Sequence, residues 1–401
     1  MCIFAKYLTA AAIKNRNVML FITTLSIIFL LCYITLIFIY IFAWKQLEPY
    51  ALTEEKQVTT SVAVIIPARN ESERISACLQ SIFHQNYPTD LLEIIVIDDY
   101  STDGTAQIVE EWCGKMEHLR LIRLADELPA NEKLNSYKKK AIEIAISKTK
   151  QQLIVTTDAD CLMQPNWLCT LVSFYEKYRP KLMTAPVCFT KETTFFQRFQ
   201  SLDFMGMMVA TGASVHLNLS NMCNGANLSY ERAAFLEVGG FQGIDDIASG
   251  DDMLLMHKIW KKYPKKVRFV KSYDATVFSY AQETVADFAQ QRIRWASKST
   301  KYEDTRITFF LAAVYLFHIS LLLNLVLSVF VSTDFLPLLL FSLCAKMLTD
   351  FIFLAVGCQF FKRMDLLWLF FPAQFVHILY ILVIGALGNF GSYEWKGRKV
   401  K

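Results

Sequence analysis

Long uninterrupted apolar stretches lie near both ends of this chain, and a patterned region of mixed polarity lies between them. No charged residue occurs from Val18 to Trp44. As a helix rising about 1.5 Å per residue this run is about 40 Å long, enough to cross a bilayer with some tilt. A cleaved signal peptide is the competing reading. The run is too long for such a segment, however, and no small-x-small cleavage site follows before Gln46. Ile307 to Val331, Phe335 to Phe361 and Leu366 to Phe390 are each long enough to span as well. The pattern predicts a membrane anchor over 1–45, a soluble domain over 46–305, and transmembrane helices with a basic tail over 306–401.

From Val62 the texture changes to short β-rich runs alternating with helical periodicity, the signature of a mostly parallel sheet with crossover helices and hence of an α/β fold. Val62–Ile66, Glu93–Ile97, Leu119–Leu124 and Leu153–Thr157 read as strands. Glu71–Gln85, Thr105–Trp112, Ser136–Ser147 and Pro165–Tyr178 read as the helices between them. Three of the strands run into polar, carboxylate-bearing loops: Pro67-Ala-Arg69-Asn-Glu71, Asp98-Asp99-Tyr-Ser-Thr-Asp-Gly-Thr105 and Asp158-Ala-Asp160. Parallel strands point one way, so these loops converge on one rim, where a nucleotide can be gripped. The plainer alternative, that Asp98 and Asp99 only cap the following helix, suits Ser101 and Asp103 better. Asp158 and Asp160 repel each other unless a cation lies between them, and hard oxygen ligands suit Mg²⁺ or Mn²⁺. By itself Asp-x-Asp is more often a turn or a cap.

Composition refines this picture. At 54% hydrophobic residues and a mean hydropathy of +0.29 over 401 residues, the chain is too apolar for an ordinary soluble enzyme, yet its charges concentrate in the middle. A net charge of +4 with no long basic stripe argues against a nucleic-acid partner and fits a bilayer surface or an anionic small substrate. The ten cysteines include no Cys-x-x-Cys pair. Several of them (Cys32, Cys344, Cys358) lie in apolar runs and read as buried thiols facing a reducing compartment.

Two further stretches carry chemistry. Asn224-Gly-Ala-Asn-Leu-Ser-Tyr230 is small, polar and turn-rich, and it precedes a helical pattern, Glu231–Val238, that Gly239-Gly240 stops. Ser249-Gly-Asp251-Asp252 then leads into helical residues from Met253, placing Asp252 near a helix N-terminus. That position favours the carboxylate form a general base needs, while Asp251 suits a cap. Gln291-Arg-Ile-Arg294-Trp295 lies on the helical stretch Val285–Lys298, which reads as an amphipathic helix on lipid headgroups and as a site at once. Arg294 can grip a diphosphate with two hydrogen bonds, and Trp295 offers a flat face to a sugar ring. Lys346 and Asp350 interrupt a membrane run at i, i+4 spacing, so they are expected to pair or to line a path for an acceptor.

Taken in order, Pro67-Ala-Arg-Asn-Glu71, Asp98 to Thr105, Asp158-Ala-Asp160, Gly250-Asp-Asp252 and Gln291 to Trp295 resemble the motif set of family 2 glycosyltransferases, over roughly Val62 to Lys298. The resemblance implies an inverting sugar transferase with a nucleotide-binding domain of the GT-A type. It is similar to the membrane members that include cellulose, chitin and hyaluronan synthases and ceramide glucosyltransferase. On that resemblance Pro67, Arg69, Glu71, Asp98, Asp99 and Asp158 bind the nucleotide. Asp158 and Asp160 hold Mg²⁺ or Mn²⁺, and Asp252 is the base. Asp251, Gln291, Arg294 and Trp295 meet the acceptor and the diphosphate, with Arg294 also catalytic. Lys138 resembles a lysine that approaches the nucleotide, although Tyr137 stands where a glycine usually precedes it, and Asp251 stands where the family usually has Glu.

The implied partners are a nucleotide-sugar donor, a saccharide or lipid acceptor and the bilayer. The implied location is a bacterial inner membrane with the domain facing the cytosol. A cytosolic domain puts Lys6, Lys14 and Arg16 outside, against the positive-inside tendency. Three full C-terminal spans would also put the basic tail Trp395-Lys-Gly-Arg-Lys399 outside, so the segment containing Pro372 is expected not to cross fully. The alternatives are a glycolipid-forming enzyme that adds one sugar, and a non-catalytic assembly subunit or transporter with a degenerate nucleotide fold. Intact carboxylates in all three rim loops argue against the last.

Overall fold

A computed structural model describes residues 2–52, 58–129, 134–219, 222–247, 250–297, 305–387, 393–395 and 398–400. Its centre is a seven-stranded sheet. In chain order the strands of the domain are β1 (Val62–Ala68), β2 (Leu92–Asp98), β3 (Leu119–Arg123), β4 (Leu153–Thr156), β5 (Leu162–Met163), β6 (Leu182–Thr184), β7 (Val187–Thr190), β8 (Leu228–Glu231), β9 (Val267–Phe269) and β10 (Val277–Tyr280). The large sheet has the order β3-β2-β1-β4-β8-β6-β9. β1 lies parallel to both β2 and β4, and β8 runs antiparallel to its neighbours β4 and β6. The near-continuous apolar runs of β1 and β2 are buried on both faces, as parallel strands covered by helices must be. A second sheet, β5-β10-β7, stands beside the ends of the first.

The helices between strands, Ile75–Phe83, Thr105–Cys113, Tyr137–Ser147 and Trp167–Tyr178, fall within the stretches expected for them or within a residue. The first starts four residues later than Glu71, because Asn70 sits at φ 50° and the cap Arg74 at φ −121°; the turn between them is tied to the next rim loop, with Glu71 N donating to Thr105 Oγ1 and Ser72 N to Asp103 Oδ2. Helix Arg232–Glu237 stops as expected, with Gly239 and Gly240 at φ 71° and 50°, a left-handed geometry that a Cβ resists. Six short strands (β5 to β10) and the 22-residue helix Phe195–His216 go beyond the elements expected from sequence, and β8 takes up the end of the Asn224–Tyr230 stretch expected to be turn-rich.

That long helix is the floor on which domain and membrane helices meet. The N-terminal helix spans Cys2–Gln46, and Thr305–Phe330, Leu336–Phe360 and Phe370–Leu387 follow the domain. Among the described residues four stretches, Asn17–Gln46, Arg306–Phe330, Thr333–Phe360 and Met364–Leu387, are long and apolar enough to cross a membrane. The expected ends Lys298 and Phe390, and the residues Ser249, Lys396 and Gly397, lie outside the described residues. The floor helix packs closely because it is small at its crossings: a Cβ at Gly212 would come within 2.6 Å of the Trp44 ring. From the domain side Lys271 Nζ donates to the carbonyls of Trp44 (2.7 Å) and Leu47 (2.8 Å), where the N-terminal helix ends.

Lys346 and Asp350 pair, as one of the two expected arrangements. Lys346 Nζ reaches Asp350 Oδ2 and, at 2.6 Å, Gln374 Oε1, and Tyr33 donates to Asp350 Oδ1 at 2.6 Å. The cysteines divide differently from expectation: Cys358 is buried, whereas Cys344 is exposed on its helix and Cys32 only half-buried, because an apolar span shows part of its surface to lipid.

Candidate active site

A cavity of about 870 Å³ opens at the carboxyl ends of β1, β2 and β4. Its walls include Pro67, Arg69, Glu71, Asp99, Lys138, Asp158, Asp160, Asp251, Asp252, Gln291, Arg294 and Trp295, which the sequence spreads over more than half the chain. Asp98 is the exception. As the last residue of β2 its side chain turns inward, 6% exposed, and Oδ2 accepts from Ser101 N at 3.3 Å while Oδ1 has no hydrogen-bond partner among the described residues. The pair therefore splits: Asp99 faces the cavity and Asp98 supports the loop from beneath.

The first two rim loops are built as one unit. Arg69 Nη1 donates to the carbonyls of Asp99 (2.7 Å) and Tyr100 (3.2 Å), and Asn70 Oδ1 accepts from Thr102 N at 2.8 Å. Asn70 and Tyr100 both adopt φ near +50°, a strained geometry for residues with side chains, which these cross-loop bonds hold in place. Asp103 acts as the clasp. Burial pushes its carboxyl up, but hydrogen bonds from Thr105 and Ser72 outweigh it and hold the pKa down at about 2. It bonds Thr105 rather than serving as the cap itself, since Gly104 takes that position.

The third loop meets the second half of the chain. Lys138 Nζ lies 2.8 Å from Asp158 Oδ1 and 3.3 Å from Asp251 Oδ2. Burial alone would lower the pKa of this ammonium, but Asp158, Asp251 and Asp252 together raise it above the usual lysine range, so it stays charged. Asp160 Oδ2 accepts from Ser279 Oγ at 3.2 Å and lies 3.9 Å from Arg74 Nη1, whose guanidinium rests over the Tyr280 ring at 4.8 Å.

The expected cap and base exchange surroundings. Asp252, not Asp251, caps helix Met253–Lys262, with Oδ1 accepting from Met253 N at 2.7 Å and Oδ2 from Gly225 N at 3.1 Å. Asp251 instead faces Lys138, because the turn at Gly250 (φ 82°) swings it toward the rim. A Cβ at Gly225 would stand 3.3 Å from Asp251 Oδ2, so the small residues of the 224–227 turn make room for these two carboxylates. Thr156 Oγ1 locks that turn to β4 by donating to the Gly225 carbonyl at 3.0 Å.

Helix Val285–Ala296 carries the last motif. Gln291, Arg294 and Trp295 face the cavity, and Gln291 Oε1 is buried without a hydrogen-bond partner among the described residues. Arg292 turns the other way and forms a buried ion pair with Asp203 at 2.8 Å. Sequence reading missed Arg292, Asp203, Arg74, Ser279 and Tyr280. For the helix that brings Asp203 a signal existed, the Thr194-x-x-Gln197 capping box, whose two reciprocal bonds are both formed.

Nine carboxylates and four cationic side chains line the cavity. Such a wall repels a diphosphate unless a cation accompanies it. Among the described residues no group of three or more His, Cys, Asp or Glu is arranged to hold a metal. The donor set nevertheless fits Mg²⁺ or Mn²⁺, which commonly take one or two carboxylates and complete their shells with phosphate and water.

Known proteins are similar to this chain in sequence and fold. A family model described as Glycosyl transferase family 2 matches residues 63–237, and one described as Glycosyl transferase family group 2 matches residues 153–387, more than half the chain. Glycosyltransferase AglE of Haloferax volcanii is 28% identical over 194 residues, covering 48% of this chain and 59% of that protein. The poly-beta-1,6-N-acetyl-D-glucosamine synthase of Staphylococcus epidermidis is 23% identical over 248 residues, covering 60% and 55%. The chain thus spans little more than half the length of these relatives. Among solved structures, mannosyltransferase PcManGT from Pyrobaculum calidifontis, in complex with GDP-Man and Mn²⁺, aligns at a TM-score of 0.57 and 20% identity over 92% of this chain and 98% of that one. That likeness shows a shared GT-A fold. By the family match over most of its length, and by the sheet and rim that agree with it, the chain belongs to the family 2 glycosyltransferases.

Proposed function

We propose that the chain is an inverting, metal-dependent transferase that moves a sugar from a nucleotide-sugar donor to a growing polysaccharide or a lipid-linked acceptor, on the cytosolic face of the membrane. One observation carries this reading: carboxylates at the end of β4, carboxylates at the start of helix Met253–Lys262 and the guanidinium of Arg294 line a single cavity beside the membrane helices. Catalytic roles then follow from position. Two backbone N–H groups, of Gly225 and Met253, hold the Asp252 carboxylate and fix its orientation at the cavity wall. Asp252 takes the hydroxyl proton, the oxygen attacks the anomeric carbon in line, and the bond to the diphosphate breaks with its electron pair leaving on the nucleotide. Arg294 and the charged Lys138 offset the charge that develops there. A divalent cation held by Asp160 and Asp158 would neutralise the diphosphate further, as the acidic wall requires.

The acceptor class follows from the neighbourhood. Helix Val285–Ala296 precedes the span Thr305–Phe330 by nine positions, so a lipid-linked or membrane-extruded acceptor reaches Trp295 more readily than a free soluble one. The Staphylococcus epidermidis relative is named as a polysaccharide synthase, and PcManGT holds GDP-Man with Mn²⁺; both support the donor and acceptor classes. Purified membranes supplied with a panel of radiolabelled UDP- and GDP-sugars test the reading. Turnover should be silenced by chelator and restored by Mg²⁺ or Mn²⁺, and the new glycosidic bond should have the opposite anomeric configuration to the donor. Full turnover in excess chelator, or retained configuration, overturns it.

A further inference from the structure

Arg292, the arginine that turns its back on the cavity, stands in the middle of a stack running from a membrane helix to the cavity wall. Tyr380, on helix Phe370–Leu387, meets Phe288 edge-on with ring centroids 5.6 Å apart. Phe288 lies against the Arg292 guanidinium at 4.8 Å, and the guanidinium lies over the Trp295 ring at 4.5 Å. Beyond Trp295 come Phe204 at 5.8 Å and Phe189 at 4.6 Å from it. Trp295, Phe204 and Phe189 all line the cavity. Asp203, on the floor helix, holds the guanidinium from the side at 2.8 Å, with both side chains sealed from solvent at 3% and 6% exposure. His377, three residues before Tyr380 on the same membrane helix, places Nε2 3.8 Å from Asp203 Oδ1.

A buried ion pair is a poor way to gain stability, since desolvation consumes most of the attraction and an apolar side chain of similar volume packs as well. What a guanidinium supplies, and an aliphatic chain does not, is a flat face that two aromatic rings can share at a fixed tilt. Its Nε has no hydrogen-bond partner among the described residues, so orientation comes from the two rings, from Asp203 and from a weak contact of Nη1 to Met207 Sδ at 3.4 Å. We propose that Arg292 and Asp203 are positioning residues that set the tilt of Trp295, and that through Tyr380 and Phe288 the seating of the last membrane helix controls how the acceptor is received. This inference rests on the reading that Trp295 meets the acceptor.

The experiment uses the full chain in lipid nanodiscs, labelled with 5-fluorotryptophan. The chain has seven tryptophans, and Trp295→Phe assigns the one resonance of interest. Arg292→Lys keeps the charge but loses the flat face, and Tyr380→Leu removes the membrane-side ring while leaving the ion pair whole. Both should shift the Trp295 resonance and leave the other six in place. With the sugar nucleotide found active in the panel and octyl β-D-glucoside as acceptor probe, the ratio of transfer to hydrolysis by water should fall about tenfold for Arg292→Lys and about threefold for Tyr380→Leu, since small misplacements far from the chemistry have effects of this order. Donor KM should stay within about twofold. An unmoved Trp295 resonance in Arg292→Lys overturns the proposal, and so does an equal loss of hydrolysis and transfer together with a lower melting temperature. If Trp295→Ala leaves the transfer-to-hydrolysis ratio intact, the acceptor role of Trp295 fails instead, whatever the resonance does.

Discussion

Two lysines meet aspartates in this protein, and they do different work. Lys138 stands between Asp158 and Asp251 at the rim of an open cavity, with 23% of its side chain exposed. Lys346, fully buried among the membrane helices, binds Asp350 and Gln374, and Asp350 in turn accepts from Tyr33. In this network each charged group meets a partner inside the bundle. At the rim, Asp158, Asp251 and Asp252 act on one ammonium while Asp160 lies 3.9 Å from Arg74 Nη1, and carboxylates outnumber cations along the wall where a substrate fits. Pairing by itself is therefore no mark of function; an unbalanced cluster beside a cavity is.

Breaking the rim should abolish chemistry and leave the fold standing. The largest effect is expected from Asp160→Ala: no measurable transfer at any Mg²⁺ or Mn²⁺ concentration, with an unchanged melting temperature. Partial rescue by high metal would move the cation to other ligands. Asp252→Asn comes next, with transfer reduced about 10²- to 10⁴-fold while nucleotide binding by calorimetry persists; parallel loss of binding and turnover would reduce Asp252 to the cap of its helix.

The same substitution at the two lysines sharpens the contrast most directly. Lys346→Met strands a buried carboxylate and should cost about 3–5 kcal/mol of stability, read as an earlier unfolding midpoint, and the double change Lys346→Met with Asp350→Leu should recover most of it. Lys138→Met should instead raise donor KM about tenfold with little change in the midpoint, because only one hydrogen-bonded charge contact to the donor side is lost. Equal destabilisation by both would erase the distinction.

The smallest effect concerns the clasp between the first two rim loops. Asp103 has a folded pKa of about 2 against an ordinary 3.8, so its contribution to stability is complete above about pH 4 and fades as pH falls through about 2. Asp103→Asn should flatten that part of the melting-temperature curve between pH 5 and 2 and leave its slope above pH 5 unchanged.

Much of the rim was legible in sequence because each apolar run is long enough to show its period and ends abruptly in carboxylates: Val62–Ile66, Glu93–Ile97 and Leu153–Thr157 announce their own C-terminal loops. Strands of three or four residues such as Leu182–Thr184 and Val267–Phe269 carry too few positions for a period to emerge. Facing is harder still. Whether Asp98 or Asp99 enters the cavity is decided by the last pleat of β2, and which arginine of Gln291-Arg-Ile-Arg-Trp295 does so is decided by the roll of a helix against Asp203. The cap of helix Met253–Lys262 falls on Asp252, not on Asp251 as expected, because the turn at Gly250 swings Asp251 toward Lys138, and a single glycine before two aspartates does not say which way that turn goes.

Lys271 has a bearing on how such a chain is made. The carbonyls of Trp44 and Leu47 close the exit end of the N-terminal helix, and the ammonium that satisfies them lies 227 and 224 residues further along. A ribosome delivers that helix to the membrane long before Lys271 leaves the exit tunnel, so for most of synthesis the helix end is served by water alone. Docking of the finished domain expels that water and seals the Trp44 carbonyl, beneath a ring that the same ammonium covers at 4.8 Å. The first span thus reaches the bilayer early, but its exit end is fully satisfied only once the domain far along the chain has folded against it.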